Sequence, residues 1–146
     1  YAEACKTLFK MSGITGMIYG QSLDLFTETR SIEDADAVAL HKTGDLIRAA
    51  LVCGALTGGA TKAEIPVFDQ IGQKFGIAYQ VIDDMLDADK IERSYLDVLT
   101  ERECREYAGR NQGVVRQPDK VRLVVHQGLR RQKPVAQQVI GGKICL

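Results

Sequence analysis

Small and apolar side chains mark one helical stripe at the start of the chain. Ala4, Leu8, Met11, Thr15, Ile18, Ser22 and Leu25 follow steps of four and three. The pattern predicts a single packed helix over residues 2–26. Gly13, Gly16 and Gly20 lower its propensity but let a neighbour approach closely. Ser31-Ile32-Glu33-Asp34 is a helix-start signature, and a helix is expected from there to about Thr43. Gly44 permits a break, after which Leu46, Ile47, Ala50, Leu51 and Ala55 carry a second apolar pattern to Leu56. Gly58-Gly59 stops it. Thr61 to Glu64 can cap the next helix, with Pro66 moving its start to Ile65 and its end near Asp87. Thr100-Glu101-Arg102-Glu103 opens a short helix to about Ala108. Residues 110–146 carry no amphipathic stripe and are expected to be irregular. Helix follows helix through short Gly-containing connections, with no convincing strand alternation, so the fold class is all-α, a helical bundle.

Composition narrows the picture modestly. The 146 residues suffice for one domain with a core, and the formal net charge of zero conceals an asymmetry. Residues 1–100 hold nine Lys/Arg against fifteen Asp/Glu; residues 101–146 hold ten against four. The basic part could dock on the acidic body, contact an anion or be solvated. No aromatic follows Tyr107 to stack on bases, which argues against a nucleic-acid partner. No apolar run reaches membrane-spanning length, and the start does not read as a signal peptide. Cys5, Cys53, Cys104 and Cys145 lack metal or redox spacing. They read as free thiols of a reducing compartment, so a cytoplasmic location is expected. Cys145 is the penultimate residue and does not fit the prenylation box.

The densest chemistry is Asp83-Asp84-Met85-Leu86-Asp87, three carboxylates in five residues at the end of an apolar, helix-length segment. Asp83 and Asp87 are four apart and stack on one helix face, with Gln80 in the same neighbourhood. Like charges at that spacing repel, and carboxylates at a helix C-terminus oppose the macrodipole. A divalent cation such as Mg²⁺ relieves both, taking one or two carboxylates and leaving positions for waters and phosphate oxygens. The plainer possibility is a solvated acidic helix end. Lys42-Thr43-Gly44 is either a surface cation at a helix break or a diphosphate grip. In the second case, a freed backbone carbonyl and the Thr43 hydroxyl could stabilise positive charge on carbon. Gln21 and Asp24 are either a satisfied buried pair or part of the same site.

In order, Gly20-Gln21-Ser22-Leu23-Asp24-Leu25, His41-Lys42-Thr43-Gly44-Asp45-Leu46-Ile47-Arg48-Ala49 and Phe75-Gly76-Ile77-Ala78-Tyr79-Gln80-Val81-Ile82-Asp83-Asp84-Met85-Leu86-Asp87 resemble the trans-isoprenyl diphosphate synthases. This is the farnesyl and geranylgeranyl diphosphate synthase family, and the resemblance is to its C-terminal half. It implies an all-α bundle of the isoprenoid synthase type, incomplete at the N-terminus, with residues 1–99 in the synthase-like domain and 100–146 as a short helix plus basic tail. It further implies a homodimer or a synthase heteromer. In such a protein an allylic diphosphate ionises with Mg²⁺ help and isopentenyl diphosphate attacks the cation. By matching position, Asp83 would coordinate Mg²⁺, with Asp84 and Asp87 in support. Lys42 would grip the allylic diphosphate. Thr43 and Gln80 would face the carbocation with Tyr79 beside it, and Gln21 and Asp24 would line the cavity, Asp24 near Lys42.

The family's first aspartate-rich motif, its following arginines and its isopentenyl diphosphate site have no counterpart in these residues. A longer loop usually follows the second motif, whereas Ser94-Tyr95-Leu96 here come within a few residues of Asp87. A fragment of a Mg-dependent prenyltransferase is therefore expected. The alternative is a non-catalytic partner subunit of a prenyl diphosphate synthase. A class I terpene cyclase is disfavoured, because Asn111 is the only asparagine and no Ser follows at metal-motif spacing.

Overall fold

The computed structural model describes residues 1–87 and 95–115 of the chain. Their order is α1 (Ala2–Ser12), α2 (Met17–Phe26), α3 (Ile32–Ala39), a π-helical turn (Leu40–Gly44), α4 (Asp45–Thr57), α5 (Ile65–Leu86), a 3₁₀ turn (Tyr95–Asp97) and α6 (Glu101–Val115). The expected all-α class holds, with no strand among the described residues. At 22 residues, α5 is about 33 Å long and forms the spine of the bundle. It packs against α4 and the π turn on one side and α6 on another, while α1 lies on α4 and α2 on the π turn.

Three element boundaries depart from the sequence pattern. The single helix expected over 2–26 is two helices, because the chain leaves helical geometry at Gly13 (ψ −164°) and re-enters after Gly16. Two glycines in four residues weaken the helix, and a Cβ at Gly16 would stand 2.0 Å from the Met11 carbonyl oxygen. The predicted stripe consequently does not pack as one face: Ala4 is buried, but Leu8, Ile18 and Leu25 are 45%, 50% and 60% exposed. The break expected at Gly44 is absent. Residues 32–57 run on helically, and the Asp45 N–H donates to the Leu40 carbonyl, five residues back, which widens the turn. Gly44 meets Gly76 of α5 there, closely enough that a Cβ on Gly76 would lie 2.4 Å from the Gly44 Cα. Finally, α6 continues past Ala108 to Val115, so residues 110–115 are helical where irregular chain was expected. The basic-tail expectation for 116–146 falls outside the described residues.

The caps follow the sequence. The Ser31 hydroxyl accepts from the Asp34 N–H at 3.2 Å, and Pro66 occupies the first turn of α5. Thr100 and Glu103 form the expected reciprocal box: the Thr100 N–H donates to the Glu103 carboxylate at 2.9 Å and the Glu103 N–H to the Thr100 hydroxyl at 3.4 Å. Those bonds hold the Glu103 carboxyl below its usual range.

The main core joins α3, α5, the 3₁₀ turn and α6 through Ala35, Ala39, Ile77, Val81, Tyr95, Cys104 and Ala108. Within it, Asp36 of α3 accepts from two phenols, the Tyr95 hydroxyl at 2.6 Å and the Tyr107 hydroxyl at 2.5 Å. Burial and then the Asp36 carboxylate push the Tyr107 phenol up to about 12 and raise Tyr95 further still. A raised phenol stabilises the fold fully below its unfolded pKa of 10.0, and that stability is lost as pH climbs through about 12. Circular dichroism during base titration is therefore expected to report unfolding across that window. Tyr107→Phe should make the fall shallower, at a cost near neutrality of about 1.5 kcal/mol for a bond to a charged group.

Candidate active site

The site is assembled where α2, the π turn and the second half of α5 meet. The widened turn sends adjacent side chains to different neighbours. Lys42 reaches α2, where its Nζ lies 2.6 Å from the Asp24 carboxylate, with both side chains partly exposed. Thr43 reaches α5, and its hydroxyl donates to the Gln80 carbonyl oxygen at 2.7 Å. The Gln80 amide nitrogen donates in turn to Asp84 Oδ1 at 2.8 Å, and Asp84 Oδ2 accepts the Tyr95 backbone N–H at 3.0 Å. A continuous hydrogen-bonded path thus leads from Thr43 through Gln80 and Asp84 to Tyr95. Burial raises the Asp84 carboxyl above the usual range, opposed by the bonds from Tyr95 and Gln80 and by the Lys42 charge.

Asp24, Lys42, Thr43, Gln80 and Asp84 are therefore brought together. Gln21 is exposed on α2, so the packed setting expected for the Gln21–Asp24 pair is not formed; Asp24 pairs with Lys42 instead. Tyr79, Asp83 and Asp87 are exposed on α5 and at its end. Tyr79 belongs to an uncovered apolar seam with Phe75, Ile82 and Leu86, which runs beside Asp83. Among the described residues no three His, Cys, Asp or Glu side chains converge into a ready cage for a metal ion. Asp83 and Asp87 one turn apart offer hard oxygen donors only, the donor type suited to Mg²⁺ with a water-rich shell.

A second polar cluster supports the π turn from beneath, and the residue patterns above did not single it out. Asp45, 2% exposed, takes the His41 Nδ1 contact at 2.8 Å and the Arg48 Nη1 bond at 2.7 Å. Arg48 also donates twice to Asp69 of α5, at 2.8 and 2.9 Å. Burial alone would lower the Arg48 pKa, but the bonds and charges of Asp69 and Asp45 outweigh it and raise it. The His41 ring stands edge-on to Tyr19 of α2, with centroids 5.2 Å apart. Spacings of four from His41 to Asp45 and three from Asp45 to Arg48 were the available signal. Asp69 had no local signal. Among the described residues Cys5, Cys53 and Cys104 form no disulfide, and Cys145 lies outside them. No helix among the described residues is long and apolar enough to cross a membrane.

Among solved structures the chain is similar to the geranyltransferase of Helicobacter pylori 26695, with a TM-score of 0.76 and 28% identity over 89% of this chain and 48% of that one. Among curated proteins it is 43% identical over 83 residues to the farnesyl diphosphate synthase of Escherichia coli (strain K12), covering 55% of this chain and 28% of that protein. It is 38% identical over 93 residues to geranylgeranyl pyrophosphate synthase 4 of Arabidopsis thaliana, covering 60% and 25%. The chain thus spans about half of the geranyltransferase and about a quarter of the two curated relatives. The polyprenyl synthetase family model matches residues 2–95, which include every residue of the candidate site, and the chain belongs to that family.

Proposed function

We propose that this chain forms the diphosphate-ionising wall of a prenyltransferase that joins isopentenyl diphosphate to an allylic diphosphate, working as part of a longer or multi-chain synthase, usually a homodimer in this family. The observation that carries the reading is the convergence of a restrained cation with an oxygen-lined pair. Asp24 holds the Lys42 ammonium 2.6 Å away, and the next residue, Thr43, bonds Gln80 at 2.7 Å. Lys42 is suited to the departing diphosphate as a compact point charge on a flexible stem. Thr43 and Gln80 present oxygen atoms to the positive charge left on carbon, fixed before it develops. Tyr79, exposed on α5, offers an aromatic face to the same cation, and Gln21 supplies a further polar group on α2. Asp83, helped by Asp87, would hold Mg²⁺, while the two oxygens of Asp84 already accept N–H bonds. When bound, Mg²⁺ would neutralise charge on the leaving diphosphate.

Calorimetric titration of the 146-residue chain with geranyl diphosphate, with and without Mg²⁺, tests this. Binding is expected to require Mg²⁺. Lys42→Ala and Asp83→Asn should each weaken it about tenfold, equivalent to about 1.4 kcal/mol. Binding that ignores Mg²⁺ and both substitutions would overturn the assignment. Adding isopentenyl diphosphate and following prenyl product by mass spectrometry, alone and with a full-length synthase, separates an active chain from one that needs a partner.

A further inference from the structure

Asp84 stands beside Asp83 in the acidic run, yet its surroundings differ. Asp83 is exposed, whereas Asp84 is half-buried with one oxygen engaged by the Gln80 amide nitrogen at 2.8 Å and the other by the Tyr95 N–H at 3.0 Å. We infer that Asp84 is a positioning residue, which sets the direction of the Gln80 amide and, through it, the direction of the Thr43 hydroxyl proton. The inference rests on the prenyl-transfer reading for its purpose and on geometry alone for its content.

Donors and acceptors decide the direction of the amide. A side-chain amide has two nearly isosteric ends, one donating and one accepting, and an unconstrained Gln80 could present either to Thr43. An ionised carboxylate only accepts. Asp84 therefore requires the Nε2 end of Gln80, and the opposite end, Oε1, must face Thr43. Because Oε1 only accepts, the Thr43 hydroxyl has to donate its proton there, at 2.7 Å. Its oxygen lone pairs are then what remains for any other neighbour. Were the amide reversed, Nε2 would donate to Thr43 and consume a lone pair. The hydroxyl proton would then be free to point at the substrate, a polarity that repels a carbocation. The Tyr95 N–H completes the device: it occupies the second Asp84 oxygen and fixes the carboxylate plane relative to α5, and Tyr95 is itself anchored to Asp36 of α3 at 2.6 Å. Asp84 thereby acts through Gln80, while metal binding at this end of α5 would fall to its exposed neighbours.

Nuclear magnetic resonance of the ¹⁵N-labelled 146-residue chain tests the inference without turnover. The Gln80 side-chain amide is assigned by its loss in Gln80→Met. Its hydrogen-bonded proton is expected well downfield in the parent chain. It should move to the free-amide position in Asp84→Ala, which removes the acceptor outright, while the backbone resonances of α4 and the first half of α5 stay in place. It should remain downfield in Thr43→Val, which removes only the follower. An amide unmoved by Asp84→Ala, or released by Thr43→Val, would overturn the inference. Mn²⁺ titration supplies a second arm. Asp84→Asn should keep Mn²⁺ affinity within about twofold of the parent, and a loss as large as that in Asp83→Asn would make Asp84 a ligand and defeat the proposal. If Asp83→Asn leaves Mn²⁺ affinity unchanged, the metal part of the prenyl-transfer reading fails, and the Gln80 resonance still decides the role of Asp84.

Discussion

Replacing Asp45 with alanine is expected to destabilise the chain by about 3 kcal/mol, read as a shift of the urea midpoint with an unchanged slope. Asp45 is 2% exposed and holds together the two ends of the turn that carries the site, His41 at 2.8 Å and Arg48 at 2.7 Å. Deleting one member of a buried ion pair typically costs about 3–5 kcal/mol, because the partner charge remains buried. The lower end applies because the Arg48 side chain is 20% exposed and keeps Asp69. Asp45→Asn preserves the shape and one acceptor, and is expected to cost about half as much. A loss below about 1 kcal/mol in Asp45→Ala would show that Asp69 alone satisfies Arg48. Because His41 and Asp45 flank Lys42 and Thr43 and bond each other, the geometry of those two residues should loosen along with stability even though neither is changed.

The second large effect comes from adding a single methyl group. A Cβ at Gly20 would stand 2.1 Å from the Lys42 nitrogen, 2.4 Å from the His41 carbonyl carbon and 2.6 Å from the Lys42 Cα. All three are backbone atoms of the π turn, so no rotamer change can clear the space. Gly20→Ala must push α2 away, at about 3 kcal/mol, the upper part of the range for overpacking. Asp24 lies one turn further along α2, so the displacement also draws its carboxylate from Lys42. Gly54→Ala is the control. A Cβ there meets nothing within 4 Å, and the substitution sits inside α4, so it should stabilise by about 1 kcal/mol. Equal behaviour of the two variants in urea melts would refute the close packing of α2 on the turn.

The contrast between these glycines also marks how far the sequence could be read. Local signals carried the elements that depend on near neighbours: the Ser31 cap, Pro66 at the start of α5, the Thr100–Glu103 box and the long apolar run ending in Asp83 and Asp87. The π turn was not legible: its Gly44 packs on Gly76, 32 positions further along the chain, and no local pattern announces that contact. The same holds for Asp36, whose phenolic donors lie 59 and 71 residues away. Lys42 and Thr43 could be picked out beside Gly44, and Gln80 by its spacing from Asp83. The role suggested for Asp84 could not, since an acidic run gives no sign of which carboxylate turns inward. The α1–α2 stripe misled because regular spacing predicts a face but not a neighbour to cover it.

The bond from the Tyr95 N–H to Asp84 has an evolutionary consequence. It joins groups eleven residues apart and so ties the end of α5 directly to the start of the 3₁₀ turn. Across relatives, substitutions that remove Asp84 or unseat Tyr95 should accordingly be selected against together, since one bond serves both elements.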